Sequence, residues 1–175
     1  MSVPDVQARA RDIELAVFDI DGVMTDGRLY FTDSGEQIKA FHVRDGLGLK
    51  ALMSNDVRVA VITARSSGAL ERRMRELGIE RVMQGHQDKA TALDRLLADE
   101  AVEPAAVCYT GDDLVDWPAM GRCGLKCAPA DADEWIRSRA DFVTTRPGGR
   151  GAVREVCELI LDAQGRLAAW REQYQ

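Results

Sequence analysis

The stretch Leu15-Ala16-Val17-Phe18-Asp19-Ile20-Asp21-Gly22-Val23 constrains the fold of this chain more than any other. A continuous apolar run ends in two aspartates one residue apart. A run this apolar suits a strand covered on both faces of a sheet. Side chains two apart on a strand share one side, so Asp19 and Asp21 are expected to project together if the extended geometry lasts to the end of the run. Gly22 then lets the backbone turn sharply away. Two carboxylates held side by side repel one another, which calls for a cation. The expectation is a hard-metal site at the carboxyl end of a strand, where open α/β sheets bind ligands.

The remaining chain alternates short apolar runs with helical patterns. A weakly helical or loose arm runs to about Asp12, and the first strand is expected over about 13–20. After the turn signal Thr25-Asp26-Gly27, residues 28–32 and 37–43 read as two strands around Asp33-Ser34-Gly35-Glu36. They make a hairpin inserted directly after the first strand. Ile38 and Ala40 fall on one face and Phe41 and Val43 on the other, so the ribbon must lie on the domain or pair with another subunit.

Asp45 is expected to cap a helix ending near Ser54-Asn55. Buried strands are expected within 57–63 and over 106–110, with shorter ones over 81–83, 125–128 and 142–143. Ser66 reads as the cap of a helix carrying Leu70, Met74 and Leu77 on one stripe, with Gly78 as its stop. Asp88 starts a helix with Leu93, Leu96 and Leu97, and further helices are expected over about 114–121 and 132–138. The last begins near Gly151, buries Val153, Val156, Cys157, Ile160 and Leu161, and gives way to a flexible polar tail. This alternation predicts one domain over 1–175, an α/β Rossmann-like three-layer sandwich with a mostly parallel sheet.

A length of 175 residues suits a single domain with a sizeable core. The formal net charge of −6 argues against nucleic-acid or anionic-membrane partners, though not against a local basic pocket. Cys108, Cys123, Cys127 and Cys157 form no redox or zinc spacing and read as small buried apolar residues. The chain shows no apolar leader and no run long enough to span a bilayer, so a cytoplasmic location is expected.

Four groups follow successive buried strands: Asp19 with Asp21, then Thr63, then Lys89 at a helix start, then Gly111-Asp112-Asp113-Leu-Val-Asp116. In a parallel sheet the carboxyl ends of the strands share one edge, so these residues converge. Asp112, and Asp116 one helical turn on, add oxygen ligands to those of Asp19, a set that suits Mg²⁺. Lys89 and the Thr63 hydroxyl offer charge and a hydrogen bond to a phosphoryl oxygen. A carboxylate beside a metal and a phosphate clamp is a candidate nucleophile, and a second carboxyl two residues on can move protons.

Phe18-Asp19-Ile-Asp21-Gly-Val, Ile62-Thr63, Lys89 and Gly111-Asp112-Asp113-x-x-Asp116 resemble, in order and spacing, the four motifs of the haloacid dehalogenase superfamily. Asp21-Gly-Val-Met-Thr-Asp26-Gly, Val43-Arg-Asp-Gly-Leu-Gly48, Gln84-Gly-His-Gln-Asp-Lys89 and Arg146-Pro-Gly-Gly-Arg-Gly-Ala152 are most similar to its 3-deoxy-D-manno-octulosonate 8-phosphate phosphatase branch. Ala64, where relatives often carry Gly, and Leu47, where an aromatic is common, depart from the pattern. The resemblance implies that Asp19 attacks phosphorus and becomes an aspartyl-phosphate. It implies that Asp21 is the general acid and base and lends a backbone carbonyl to Mg²⁺. It further implies Asp112 as a metal ligand, Asp113 and Asp116 as residues ordering the metal shell, and Thr63 and Lys89 as the phosphate holders. The implied product is a free sugar acid made for lipopolysaccharide synthesis. A nine-carbon keto sugar acid 9-phosphate is the nearest other substrate, and a non-catalytic assembly or regulatory domain is the alternative outside catalysis.

Many members of that superfamily carry a large cap, whereas here only the hairpin follows the first motif, so the site is open in a monomer. The resemblance implies a homotetramer in which hairpins associate and a neighbour helps wall each site. Arg65 is the candidate for binding the substrate carboxylate. Arg44, Lys50, Arg72, Arg73 and Arg75 are further candidates near the site, most of them reading as solvated helix charges, and His42 and His86 read as structural or surface residues. Asp113 serves equally as a helix cap. Gly46-x-Gly48-x-x-Ala51 formally matches a dinucleotide fingerprint, but no acidic residue ends the next strand, so tight helix packing explains the glycines better. Gly148-Gly149-Arg150-Gly151 reads either as a gate beside the site or as a plain loop.

Overall fold

The structure, a computed structural model, describes residues 3–35 and 37–175. Met1 and Ser2 of the expected arm and Glu36 of the expected hairpin turn lie outside the described residues. The elements in chain order are α1 (Val3–Arg11), β1 (Leu15–Phe18), β2 (Tyr30–Phe31), β3 (Gln37–Ile38), α2 (Val43–Met53), β4 (Arg58–Ile62), α3 (Gly68–Leu77) and β5 (Arg81–Met83). There follow α4 (Lys89–Glu100), β6 (Val107–Thr110), α5 (Trp117–Met120), β7 (Leu125–Ala128), α6 (Glu134–Arg137), β8 (Phe142–Val143), α7 (Ala152–Ala163) and α8 (Leu167–Glu172).

The six-stranded sheet runs β5-β4-β1-β6-β7-β8, and every pairing in it is parallel. β1 lies inside because its residues are apolar on both faces and all four are buried. Ala16 and Phe18 face a core built with α1, α2, α3, α7 and α8, while Leu15 and Val17 face one built with α4, α5 and α6. The expected three layers are thus present. α7 seals the first core with Val153, Val156, Ile160 and Leu161 fully buried, each worth about 1.5–3 kcal/mol over the exposed state. The chain builds outward from β1 through β4 to β5, then returns to lay β6 on the other flank of β1. That reversal opens a crevice at the carboxyl ends of β1 and β6.

Several boundaries differ from the sequence reading, each for a local reason. β1 stops at Phe18, two residues early, because the N–H groups of Val23, Met24 and Thr25 all turn back onto the Ile20 carbonyl. Asp19 still extends the ladder, its N–H donating to Thr110 O at 3.0 Å, but Asp21 already lies in the turn. The hairpin is present but small, with only Tyr30–Phe31 paired to Gln37–Ile38. α2 starts at Val43, so His42 and not Asp45 is its N-cap. Asp45 instead caps α7, accepting N–H from Gly151 at 3.3 Å and from Arg154 at 2.9 Å. α7 needs this help because its own N-cap, Gly151, has no side chain to offer. Ser67 rather than Ser66 is the N-cap of α3. The stretch expected as a flexible tail contains α8, anchored where Trp170 enters the core and Arg154 stacks on its ring.

Candidate active site

The crevice gathers side chains from the ends of three neighbouring strands. Asp19 follows β1, Thr63 follows β4, and Asp112 and Asp116 follow β6. Lys89, at the first position of α4 behind Asp88 as N-cap, reaches in from the side. Its ammonium is 2.9 Å from Asp19 Oδ1 and 2.6 Å from Asp116 Oδ1, and all three groups are buried. A lone lysine at a helix N-terminus is unfavourable. Two carboxylates reverse that balance: burial alone would lower the Lys89 pKa, and Asp19 and Asp116 raise it above its ordinary value.

Asp116 has its oxygens taken up. Oδ1 also accepts from the Tyr109 hydroxyl at 3.3 Å, and Oδ2 accepts the N–H groups of Asp112 at 3.1 Å and Asp113 at 3.2 Å. It therefore shapes the turn that presents Asp112. Asp112 differs in that its Oδ1 is buried without a hydrogen-bond partner among the described residues. Gly22, at φ +98°, fits against this carboxylate so closely that an added Cβ would overlap it.

The oxygens of Asp19, Asp112 and Asp116 lie within 4.8 Å of one another. Three carboxylates face one ammonium, leaving two negative charges in a site shielded from water. Burial, followed by repulsion from Asp116, pushes the Asp19 carboxyl up to about 7 against the pull of Lys89. Burial, followed by repulsion from Asp116 and Asp19, pushes Asp112 up to about 8. An orphaned carboxylate oxygen beside clustered acidic oxygens fits a hard divalent cation, which takes oxygen ligands.

The structure separates the remaining site candidates. Asp21 meets a different set of partners from Asp19: its carboxylate pairs with Lys39, and Arg65 Nε stands 3.9 Å from its Oδ2. Its side chain is outside the three-carboxylate cluster. Asp113 is exposed, and its carboxylate accepts the Leu114 N–H at 2.7 Å in a reciprocal cap with Asp116. The side chain of Asp113 is thus turned away from the cluster. Thr63 is buried just past the end of β4, and its Oγ1 accepts the Arg65 N–H at 3.4 Å, leaving its O–H to donate. Arg65 stands at the rim, its side chain half exposed. Nearby, a cavity of about 440 Å³ is lined by Gln37, Ile38, Ser66, Ser67, Gly68 and Ala69.

Gly148 packs on the Gly22 carbonyl, and the Gly149 N–H donates to Val23 O at 3.0 Å, so the glycine-rich segment is seated on the turn that follows Asp21. The glycines of the formal dinucleotide fingerprint serve packing. A Cβ on Gly46 would strike Arg73 and Leu77 of α3, and one on Gly48 would strike Arg154 and Cys157 of α7. All four cysteines are free and buried, and no helix among the described residues is long and apolar enough to cross a membrane. Sequence reasoning missed Lys39, Tyr109 and Asp131, whose carboxylate holds the Gly148 N–H at 2.8 Å. None belongs to a local pattern, since each acts across a gap in the chain that only the fold closes.

None of the family models compared with the chain matches it. Individual proteins do. The chain is 50% identical over 163 residues, 93% of its length and 87% of the relative's, to the 3-deoxy-D-manno-octulosonate 8-phosphate phosphatase KdsC of Yersinia pestis. The crystal structure of the Moraxella catarrhalis enzyme of that name, in complex with a magnesium ion, a phosphate ion and a KDO molecule, superposes with a TM-score of 0.97. The two are 41% identical, covering 99% of this chain and 100% of that one. A hydrolase of the haloacid dehalogenase superfamily from Legionella pneumophila, 38% identical, superposes with a TM-score of 0.94 and covers 98% of this chain and 94% of its own. On this likeness, which runs through nearly the whole chain in sequence and in fold, the protein belongs to the 3-deoxy-D-manno-octulosonate 8-phosphate phosphatase family of the haloacid dehalogenase superfamily.

Proposed function

We propose that this chain is a Mg²⁺-dependent phosphatase that hydrolyses 3-deoxy-D-manno-octulosonate 8-phosphate to the free sugar acid and phosphate, for lipopolysaccharide precursor synthesis in the cytoplasm. The observation that carries the reading is the buried Asp19–Lys89–Asp116 chain beside the unpartnered oxygen of Asp112. Asp19, Asp112 and the backbone carbonyl of Asp21 would hold the cation, with Asp116 and Asp113 fixing the turn that carries Asp112. When bound, the ion supplies the positive charge that lets an anionic carboxylate approach an anionic phosphoryl group.

The protein's own groups then divide the work. Lys89 and the Thr63 hydroxyl hold phosphoryl oxygens, so Lys89 exchanges part of its contact with the carboxylates for the substrate. A carboxylate oxygen of Asp19 forms a bond to phosphorus, and the bond from phosphorus to the ester oxygen breaks. The departing electron pair stays on that oxygen, which takes a proton from Asp21. Asp21, now ionised, accepts a proton from water as the water oxygen bonds to phosphorus, and the aspartyl–phosphorus bond breaks to restore Asp19. Arg65 stands where it can pair with the carboxylate of the sugar acid. The exposed Tyr30, Phe31 and Ile38 of the hairpin support assembly into a homotetramer whose neighbours wall the open side.

Replacing Asp19 by Asn tests the nucleophile. Phosphate release should vanish while the circular dichroism spectrum is kept, and retained turnover would refute the assignment. EDTA should stop turnover and added Mg²⁺ restore it. A screen of phosphorylated sugar acids tests the substrate, with a preference for a nine-carbon 9-phosphate as the outcome that would displace the eight-carbon reading.

A further inference from the structure

We propose that Lys39 is a positioning residue for the proton transfers of Asp21, an inference that rests on the reading of Asp21 as the acid and base. Lys39 follows β3 on the small hairpin, most of whose large side chains face water: Phe31 is 63% exposed and Ile38 54%. A lysine on such a ribbon ordinarily extends its ammonium into solvent. Here the side chain is only 3% exposed, and its ammonium donates to Asp21 Oδ1. Burying an ammonium is unfavourable unless a partner compensates for the lost water, and Asp21 is the carboxylate that meets it.

The contact leaves the two oxygens of Asp21 unequal. Lys39 holds Oδ1, whereas Oδ2 faces the Arg65 guanidinium at 3.9 Å, beyond hydrogen-bond distance. Oδ2 is therefore the oxygen turned to the rim and left free to meet an ester oxygen. Asp21 needs an external hold of this kind because it sits in the turn after β1 and not on the strand ladder. Proton transfer requires a heavy-atom separation of about 2.6–3.2 Å, and a displacement of about 1 Å costs on the order of 100-fold in rate. Lys39 thus does for Asp21 what Asp116 does for Asp112. It also makes the seating of the hairpin, 18 residues away along the chain, a condition of the chemistry.

The test uses the full chain with saturating Mg²⁺ and reads leaving-group release in the first turnover by rapid quench or stopped flow. Two substrates are compared: an alkyl ester, the sugar acid phosphate, whose alkoxide must be protonated as it leaves, and p-nitrophenyl phosphate, whose phenolate leaves without a proton. Lys39→Met should lower the ratio of alkyl to aryl rates about 10- to 100-fold, with KM for the sugar acid phosphate moving far less than kcat. Asp21→Asn should lower the same ratio at least as far, and Lys39→Arg should recover part of it. An equal fall on both substrates makes Lys39 merely structural and overturns the proposal, as does an undiminished ratio. If Lys39→Met fails to fold, Lys39→Gln is read by the same ratio and the same criteria. If Asp21→Asn itself shows no leaving-group preference, the acid–base reading falls. That result differs from one in which Asp21→Asn is selective and the Lys39 variants are not.

Discussion

Gly22 and Asp112 compete for the same space, and the site exists because glycine yields it. At φ +98° the Gly22 backbone is in a region L side chains avoid, and a methyl group there would overlap the Asp112 carboxylate. Gly22→Ala should cost about 1–3 kcal/mol from backbone strain alone, read as a lower urea midpoint. It should also raise the Mg²⁺ half-saturation of turnover. Lys89→Met should be costlier, since it leaves Asp19 and Asp116 buried without their cation. Removing one partner of such a group costs about 3–5 kcal/mol, measured by unfolding in EDTA. At this scale the sequence was most informative where chemistry is local to a strand end. Asp19, Thr63 and Asp112 each follow a run whose burial could be read from its composition, and Lys89 stood out as a lysine at a helix start. Asp21 was legible as a residue but not in its place in a turn or its pairing with Lys39, because the turn onto Ile20 O has no signature in the preceding apolar run. Helical spacing singled out Asp116 and left Asp113 open as a cap, and the hydrogen bonds show Asp113 capping outward and Asp116 bonded inward.

Among the elements, α7 depends on a residue from α2. Asp45→Ala removes the acceptor for the Gly151 and Arg154 N–H groups and should cost about 0.5–2 kcal/mol, while Asp45→Asn, which keeps one acceptor oxygen, should cost less. Urea unfolding of the pair measures this. The same substitution should loosen the segment from Gly148 to Gly151 where it packs on the turn after Asp21, seen as faster amide exchange at Gly149. Sequence periodicity set the order and type of the strands and helices because each buries a face at its own period. It failed at caps. Asp45 looks like the start of its own helix, and nothing nearby in sequence shows that a helix more than a hundred residues later lacks a cap of its own. The stretch after α7 misled for a related reason: Leu167-Ala168-Ala169-Trp170 is too short an apolar run to show a helical period, yet the buried indole of Trp170, with Leu167 packed beside it on the core, docks α8.

For the whole molecule, cation binding and assembly are the measurable properties. Mg²⁺ at 100 times its dissociation constant should stabilise the fold by about 2.7 kcal/mol. For a domain of this size that is a rise of about 5–10 °C in melting temperature, and an unchanged melt with Mg²⁺ would contradict the cation site. Phe31→Ser combined with Ile38→Ser should shift sedimentation toward smaller species if the hairpin carries the tetramer. The reversal of strand order at β1 has one more consequence, for a chain still being made. Asp112 is synthesised 93 residues after Asp19, and β6 cannot join the sheet before it emerges. A nascent chain that has only reached β5 therefore carries Asp19 with neither Lys89 nor the acidic loop opposite it. The carboxylate cluster can assemble only once β6 lies beside β1, so capacity to bind the cation should arise when that pairing forms, ahead of the strands β7 and β8 that complete the sheet.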